Sequence, residues 1–155
     1  MSTAQVWLDA YAVSHQNPIN KALHWVCVPL IVISLIGLLW SIPVPAAFYA
    51  ISPALNWGTT FLLAAVVYYF VMSWSLALGM LPVVVGIVAA VIWMESLPYP
   101  LLYSSIVLFA AAWIGQFIGH VIEGEKPSFF EDLQFLMIGP LWMLAAIYRQ
   151  FGVRY

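Results

Sequence analysis

Residues 23–40, LHWVCVPLIVISLIGLLW, form an apolar run of the length that crosses a lipid bilayer. The run lies at the start of a longer stretch, Trp25 to Met94, that contains no Asp, Glu, Lys, Arg or His. Over all 155 residues, 65% are apolar, 6% are charged, and the mean hydropathy is +1.02. Soluble domains carry about 25% charged residues. The composition therefore predicts an integral membrane protein.

Apolar runs of this kind predict an all-α membrane helical bundle with four spans, in a single domain of residues 1–155. The predicted spans are Leu23–Trp40, Thr59–Trp74, Leu76–Met94 and Leu101–Gly119. Asn17 followed by Pro18 is typical of a helix start, with Asn17 as the N-cap and Pro18 in the first helical position.

Two further segments flank the spans. Trp and Tyr recur at helical spacing in Thr3–Ser14, which predicts an interfacial N-terminal helix. The last apolar segment, Leu133–Tyr148, is short for a crossing, and Gly139-Pro140 interrupts it. We expect a broken C-terminal segment that re-enters or lies shallow in the membrane.

The number of spans predicts which polar residues meet. Four spans between His24 and His120 place both histidines at the same membrane face, together with Lys21 and Lys126. Arg149 and Arg154 join them if the last segment does not cross. The positive-inside rule then favours the cytoplasmic face, in a bacterial inner membrane or the endoplasmic reticulum.

Composition also excludes several classes of function. Four basic residues cannot form a nucleic-acid-binding patch. The single cysteine, Cys27, excludes an intrachain disulfide and a cysteine-rich metal site. Small residues at Gly86–Ala90 permit close helix contact, so a homodimer in the lipid bilayer stays open.

Two polar clusters stand out against this apolar background. The first is YAVSHQNPINKALH, residues 11–24, and the second is GQFIGHVIEGEKPSFFEDL, residues 115–133. Together they hold every histidine of the chain: His15, His24 and His120. On helices, Asn20 lies one turn from His24, and Gln116 lies one turn from His120.

Three imidazoles with open coordination positions suit a catalytic metal site. Asn17, Asn20, Gln116 and Glu123 would orient the imidazole rings, or one carboxylate would ligate directly. This donor set does not choose between iron and zinc, so a zinc-dependent lipid hydrolase stays open. A non-enzymatic membrane module that binds lipid or protein, with interfacial histidines, is the other alternative.

The paired motifs resemble a family of small membrane Fe(II)-dependent 2-hydroxy fatty acid dioxygenases, typified by the fungal enzyme of phytosphingosine degradation to odd-numbered fatty acids. The first motif, H-x-N-P-x-N-x-x-x-H, corresponds to residues 15–24 and is followed by Val28-Pro29. The second, Q-F-I-G-H, corresponds to residues 116–120 and is followed by Glu123, Lys126-Pro127 and Gly139-Pro140.

The resemblance implies an α-oxidation that uses O₂ and shortens a 2-hydroxy fatty acid by one carbon. It also implies that His15, His24 and His120 bind Fe(II) and are catalytic. The acyl tail would lie in the apolar bundle, and the carboxylate would lie at the membrane face. Asn20, Gln116 or Lys126 would then orient that carboxylate.

Overall fold

The computed structural model describes residues 3–124, 135–153 and 155. The predicted all-α fold is confirmed, because the described residues form helices and no strand. The helices are α1 (Thr3–Val13), α2 (Pro18–Trp40), α3 (Ala46–Ile51), α4 (Trp57–Met72), α5 (Trp74–Glu95), α6 (Leu101–Glu123) and α7 (Ile138–Gln150). A 3₁₀ turn, Phe135–Met137, precedes α7. Lys126, Arg154 and the predicted start of the last segment at Leu133 lie outside the described residues.

Three of these helices, α2, α5 and α6, are long and apolar enough to cross a membrane. The fourth apolar helix, α4, has 16 residues, which gives a length of about 24 Å against a hydrocarbon core of about 30 Å. Four crossings therefore stay a prediction, while three candidate spans are present. Large apolar side chains cover the outside of these helices, with Val71 82%, Val107 69% and Val85 68% exposed.

Helices α2 and α6 run antiparallel and touch along a row of small residues. Asn20, near the start of α2, lies against Gly119, near the end of α6, and Gly37 lies against Ser105 at the opposite ends. Between them, a Cβ added to Gly115 would lie 2.6 Å from the sulfur of Cys27. Small residues let two helix backbones approach closely. This contact brings His24 and His120 to the same end of the bundle, as the sequence predicted.

A single residue, Ser73, connects α4 to α5. Ser73 ends α4, and its hydroxyl accepts a hydrogen bond from the backbone N–H of Leu76 in the first turn of α5. At its other end α4 starts with a reciprocal cap, in which Asn56 and Thr59 each bond the other's backbone N–H. A side-chain cap satisfies backbone groups that the helix leaves open, which is why α4 starts at Trp57, two residues before the predicted Thr59.

The last helix packs at the histidine end of the bundle. The Tyr69 hydroxyl of α4 donates to the carbonyl of Met137 (2.9 Å), and the Tyr148 hydroxyl donates to the carbonyl of Ser75 (3.0 Å) in α5. Gly139 and Pro140 lie in the first turn of α7, where proline is tolerated. The last segment is thus a 3₁₀ turn followed by α7, which continues to Gln150, and its path in the membrane stays a prediction.

Candidate metal centre

The three histidines, which are up to 105 positions apart in the sequence, lie together in the fold. Their ring centroids are 4.2 Å apart for His15 and His24, 5.0 Å for His24 and His120, and 5.5 Å for His15 and His120. One potential ligand atom from each ring lies within 4.8 Å of the others. All three side chains are buried, with 5% exposure or less. The predicted juxtaposition of the two clusters is therefore present in the structure.

Backbone carbonyls orient two of the rings. Nδ1 of His15 lies 2.6 Å from the carbonyl oxygen of Tyr11, and Nδ1 of His24 lies 2.9 Å from the carbonyl oxygen of Asn20. A carbonyl only accepts, so this contact requires the hydrogen on Nδ1. The tautomer with hydrogen on Nδ1 carries its lone pair on Nε2. Histidine ligands of metals are commonly oriented by such a bond to the other ring nitrogen.

Aromatic side chains cover His15. The ring of Tyr11 stacks on it, with centroids 4.1 Å apart and planes 14° from parallel, and the indole of Trp142 lies at 5.7 Å. Sequence analysis did not single out either aromatic residue as part of the site. Tyr11 lies one helical turn before His15, and that spacing was the one available signal. Trp142 comes from α7, and nothing in the sequence pattern places it beside His15.

The Glu123 carboxylate joins the end of α6 to the turn between α1 and α2. It accepts hydrogen bonds from the backbone N–H groups of Gln16 (2.8 Å) and Asn17 (2.8 Å), and from the side-chain amide of Asn20 (3.0 Å). These donors occupy both carboxylate oxygens. The arrangement fits the orienting role expected for Glu123 better than the ligand role, because the carboxylate fixes the backbone next to His15.

Asn17 and Asn20 complete this polar connection. The Asn17 side chain accepts from the N–H of Ile19 (2.9 Å), which is the predicted N-cap of α2. The Asn20 amide group also donates to the carbonyl of Ser14 (3.2 Å). Together these bonds fix the path of residues 14–20, which carries His15 towards the start of α2.

Two buried amide oxygens lie near the histidines. Oδ1 of Asn20 and Oε1 of Gln116 have no hydrogen-bond partner within the described part of the chain. Asn20 is fully buried against Gly119, and Gln116 is 5% exposed, one turn before His120. A buried acceptor of this kind is costly unless a ligand or water supplies a donor. Lys126, the other predicted polar residue, lies outside the described residues.

The histidine cluster fits a metal ion. Three imidazole nitrogens bonded to one ion at about 2.1 Å lie roughly 3.0–3.4 Å from one another. In this structure the potential ligand atoms lie within 4.8 Å of one another, so small ring movements would bring the nitrogens to one ion. Imidazole suits iron and zinc alike, and three ligands leave coordination positions open.

A comparison of the sequence with known protein families is consistent with a metal centre at these histidines. The sequence model of the Mpo1-like family, described as 2-hydroxy-palmitic acid dioxygenase Mpo1-like, matches residues 1–151. The match includes both histidine clusters and the apolar helices between them, and it confirms the resemblance that the two motifs indicated. No curated protein and no solved structure matches the chain.

Proposed function

This chain belongs to the Mpo1-like family, and we propose that it is an Fe(II)-dependent dioxygenase of 2-hydroxy fatty acids. The reaction R–CH(OH)–COOH + O₂ → R–COOH + CO₂ + H₂O shortens the acid by one carbon and balances in atoms. The observation that carries the proposal is the buried cluster of His15, His24 and His120. The family description names a dioxygenase, and this cluster could hold the metal ion that such an enzyme needs to react with O₂.

In this proposal the three imidazoles hold the iron. The iron would supply one-electron redox chemistry, Lewis acidity and open positions for the substrate and O₂. The carbonyls of Tyr11 and Asn20 keep two rings in the orientation and tautomer that binding requires. Tyr11 and Trp142 cover His15 and limit access of water from that side.

The amide groups of Asn20 and Gln116 would orient the substrate. Both are buried beside the histidines, and Lys21 is half-buried one turn before His24 on α2. The amide oxygens of Asn20 and Gln116 are acceptors and suit the 2-hydroxyl group, whereas a cation on the same helix as His24 suits the carboxylate. A cytoplasmic location of this end of the bundle, in a bacterial inner membrane or the endoplasmic reticulum, belongs to the same proposal, and the positive-inside rule with Lys21 and Arg149 favours it.

The test combines metal content with oxygen uptake. Protein purified anaerobically in mild detergent would contain near-stoichiometric iron and consume one O₂ for each acid shortened. We expect His24→Ala and His120→Ala to lose both the iron and the turnover. Tyr103→Ala is the matched control, because it removes an exposed aromatic ring from α6 far from the histidines.

A zinc-loaded protein that hydrolyses lipid esters or amides without consuming O₂ would replace this proposal with the hydrolase alternative. Protein that folds but binds no metal would refute both enzymatic proposals. Circular dichroism and the elution volume of each variant in detergent separate loss of metal from loss of fold.

A further inference from the structure

An apolar groove begins beside the metal centre and runs along α2 towards the middle of the bundle. It encloses about 140 Å³ between α2, α5 and α7. Trp25, Val28 and Val32 line it on α2, Val83 and Ile87 on α5, and Met143 on α7. Every residue that lines it is apolar, so the groove offers no partner for a charged or hydrogen-bonding group.

One end of the groove lies next to residues that contact the histidine cluster. Val28 lies one turn beyond His24 on the same helix and is buried. A Cβ added to Gly139 would lie 3.1 Å from Val28 and 3.4 Å from the hydroxyl of Tyr11, the residue that stacks on His15. The end of the groove at Val28 therefore meets the residues that support the centre.

The opposite end of the groove closes near the middle of the bundle. From Trp25 to Val32 it extends about 10 Å along α2. Val32 packs there against a cluster that contains Ile87. Val83 is 40% exposed at the side of the groove, so a chain longer than the groove can leave it towards the lipid.

We propose that this groove binds the part of the acyl tail next to the reacting carbons and so favours acids whose tails are long enough to fill it over shorter ones. The inference rests on the proposed dioxygenase function, because the substrate is taken to be a 2-hydroxy fatty acid. A carboxylate held beside the histidines places its tail at Val28, and the groove is the apolar continuation from that point. Val83 is then a specificity residue.

The test pair is Val83→Trp and Val85→Trp. The first places an indole in the groove, whereas the second places it on the outer face of α5, where Val85 is 68% exposed. Each methylene displaced from an apolar site weakens binding about fourfold. If the indole displaces two or three methylenes, kcat/KM for 2-hydroxyhexadecanoic acid relative to 2-hydroxyhexanoic acid falls roughly 15- to 60-fold in Val83→Trp and stays unchanged in Val85→Trp.

A readout without turnover keeps this test separate from the proposed function. A 2-hydroxyhexadecanoic acid with a photoreactive diazirine near its carboxyl end should label peptides that contain Val83 or Met143, and Val83→Trp should reduce that labelling. If these peptides are labelled but the protein consumes no O₂, the proposed dioxygenase function is refuted and the proposed tail-binding groove is kept. If iron-loaded Val83→Trp turns over normally and its preference for tail length is unchanged, the proposed tail-binding groove is overturned and the proposed dioxygenase function is kept. Met143→Trp, which fills the groove from α7, repeats the test if Val83→Trp does not fold.

Discussion

Replacing Glu123 with glutamine tests whether this carboxylate positions the site rather than binds metal. Every group that faces it is a donor: the N–H groups of Gln16 and Asn17 and the amide of Asn20. A glutamine carries one NH₂ group, and either orientation of that group places a donor against a donor. Glu123→Gln is therefore expected to resemble Glu123→Ala, whereas Glu123→Asp keeps an acceptor-only group.

The size of the effect follows from these three donors. A hydrogen bond to a charged group contributes about 1.5–3 kcal/mol when it is shielded from water. Glu123 is half-buried at a helix end, so water recovers part of that energy after substitution. We expect a destabilisation of roughly 2–3 kcal/mol for Glu123→Gln. Loss of an orienting group commonly lowers metal affinity about 10- to 100-fold, and we expect the same range here.

The assay is amide hydrogen exchange of Gln16 and Asn17 in metal-free protein, together with iron titration. The connection to Glu123 consists of protein groups alone, so both amides should exchange faster in Glu123→Gln even when no metal is bound. Glu95→Gln, at the opposite end of the bundle, is the matched control and should change neither measurement. Unchanged exchange in metal-free Glu123→Gln, combined with complete loss of iron, would refute the positioning role and indicate a ligand.

Three further predictions concern helix contact, capping and metal removal. Gly119→Ala should destabilise the protein by about 1–3 kcal/mol and lower its iron content, because the new methyl group would meet Asn20. Gly86→Ala, whose new Cβ has nothing within 4 Å, should change neither stability nor iron content. Thermal unfolding in detergent compares the two variants. Asn17→Ala and Asn56→Ala each remove an N-cap worth about 1 kcal/mol, but only Asn17→Ala should weaken iron binding in a titration. Chelation of the iron should lower the Tm, since a ligand at 100 times its Kd stabilises the folded state by about 2.7 kcal/mol; a Tm that chelation leaves unchanged would contradict a metal bound to the folded state.

The sequence predicted the histidine cluster because two kinds of information agreed. Helical spacing placed Asn20 with His24 and Gln116 with His120, and the number of apolar segments placed the two pairs at one end of the bundle. The structure brings the rings together through the antiparallel contact of α2 and α6. The predicted span ended at Gly119, whereas α6 continues to Glu123, where Gly124 ends it with a φ of 88°. A glycine at that position was the available signal.

The contributions of Tyr11, Trp142 and the groove could not be predicted in the same way. Helices in lipid are apolar on all sides, so periodicity does not reveal which side faces a neighbour. Trp142 reaches His15 because α7 lies at the histidine end, where it packs against α1, α4 and α5. The groove depends on side-chain shape at three helices that are far apart in the sequence.

If the proposed function is correct, the placement of the centre would let a fatty acid react without leaving the membrane. His24 lies six residues into α2, about 9 Å from the helix start, so the histidines lie near one end of the bundle. The groove continues from Val28 towards the middle. A fatty acid in a bilayer has the same polarity, with its carboxylate near the surface and its tail towards the midplane. In the proposed function, the substrate would therefore enter sideways from the lipid, with its reactive carbons at the depth of the histidines, and its tail would not need to pass through water.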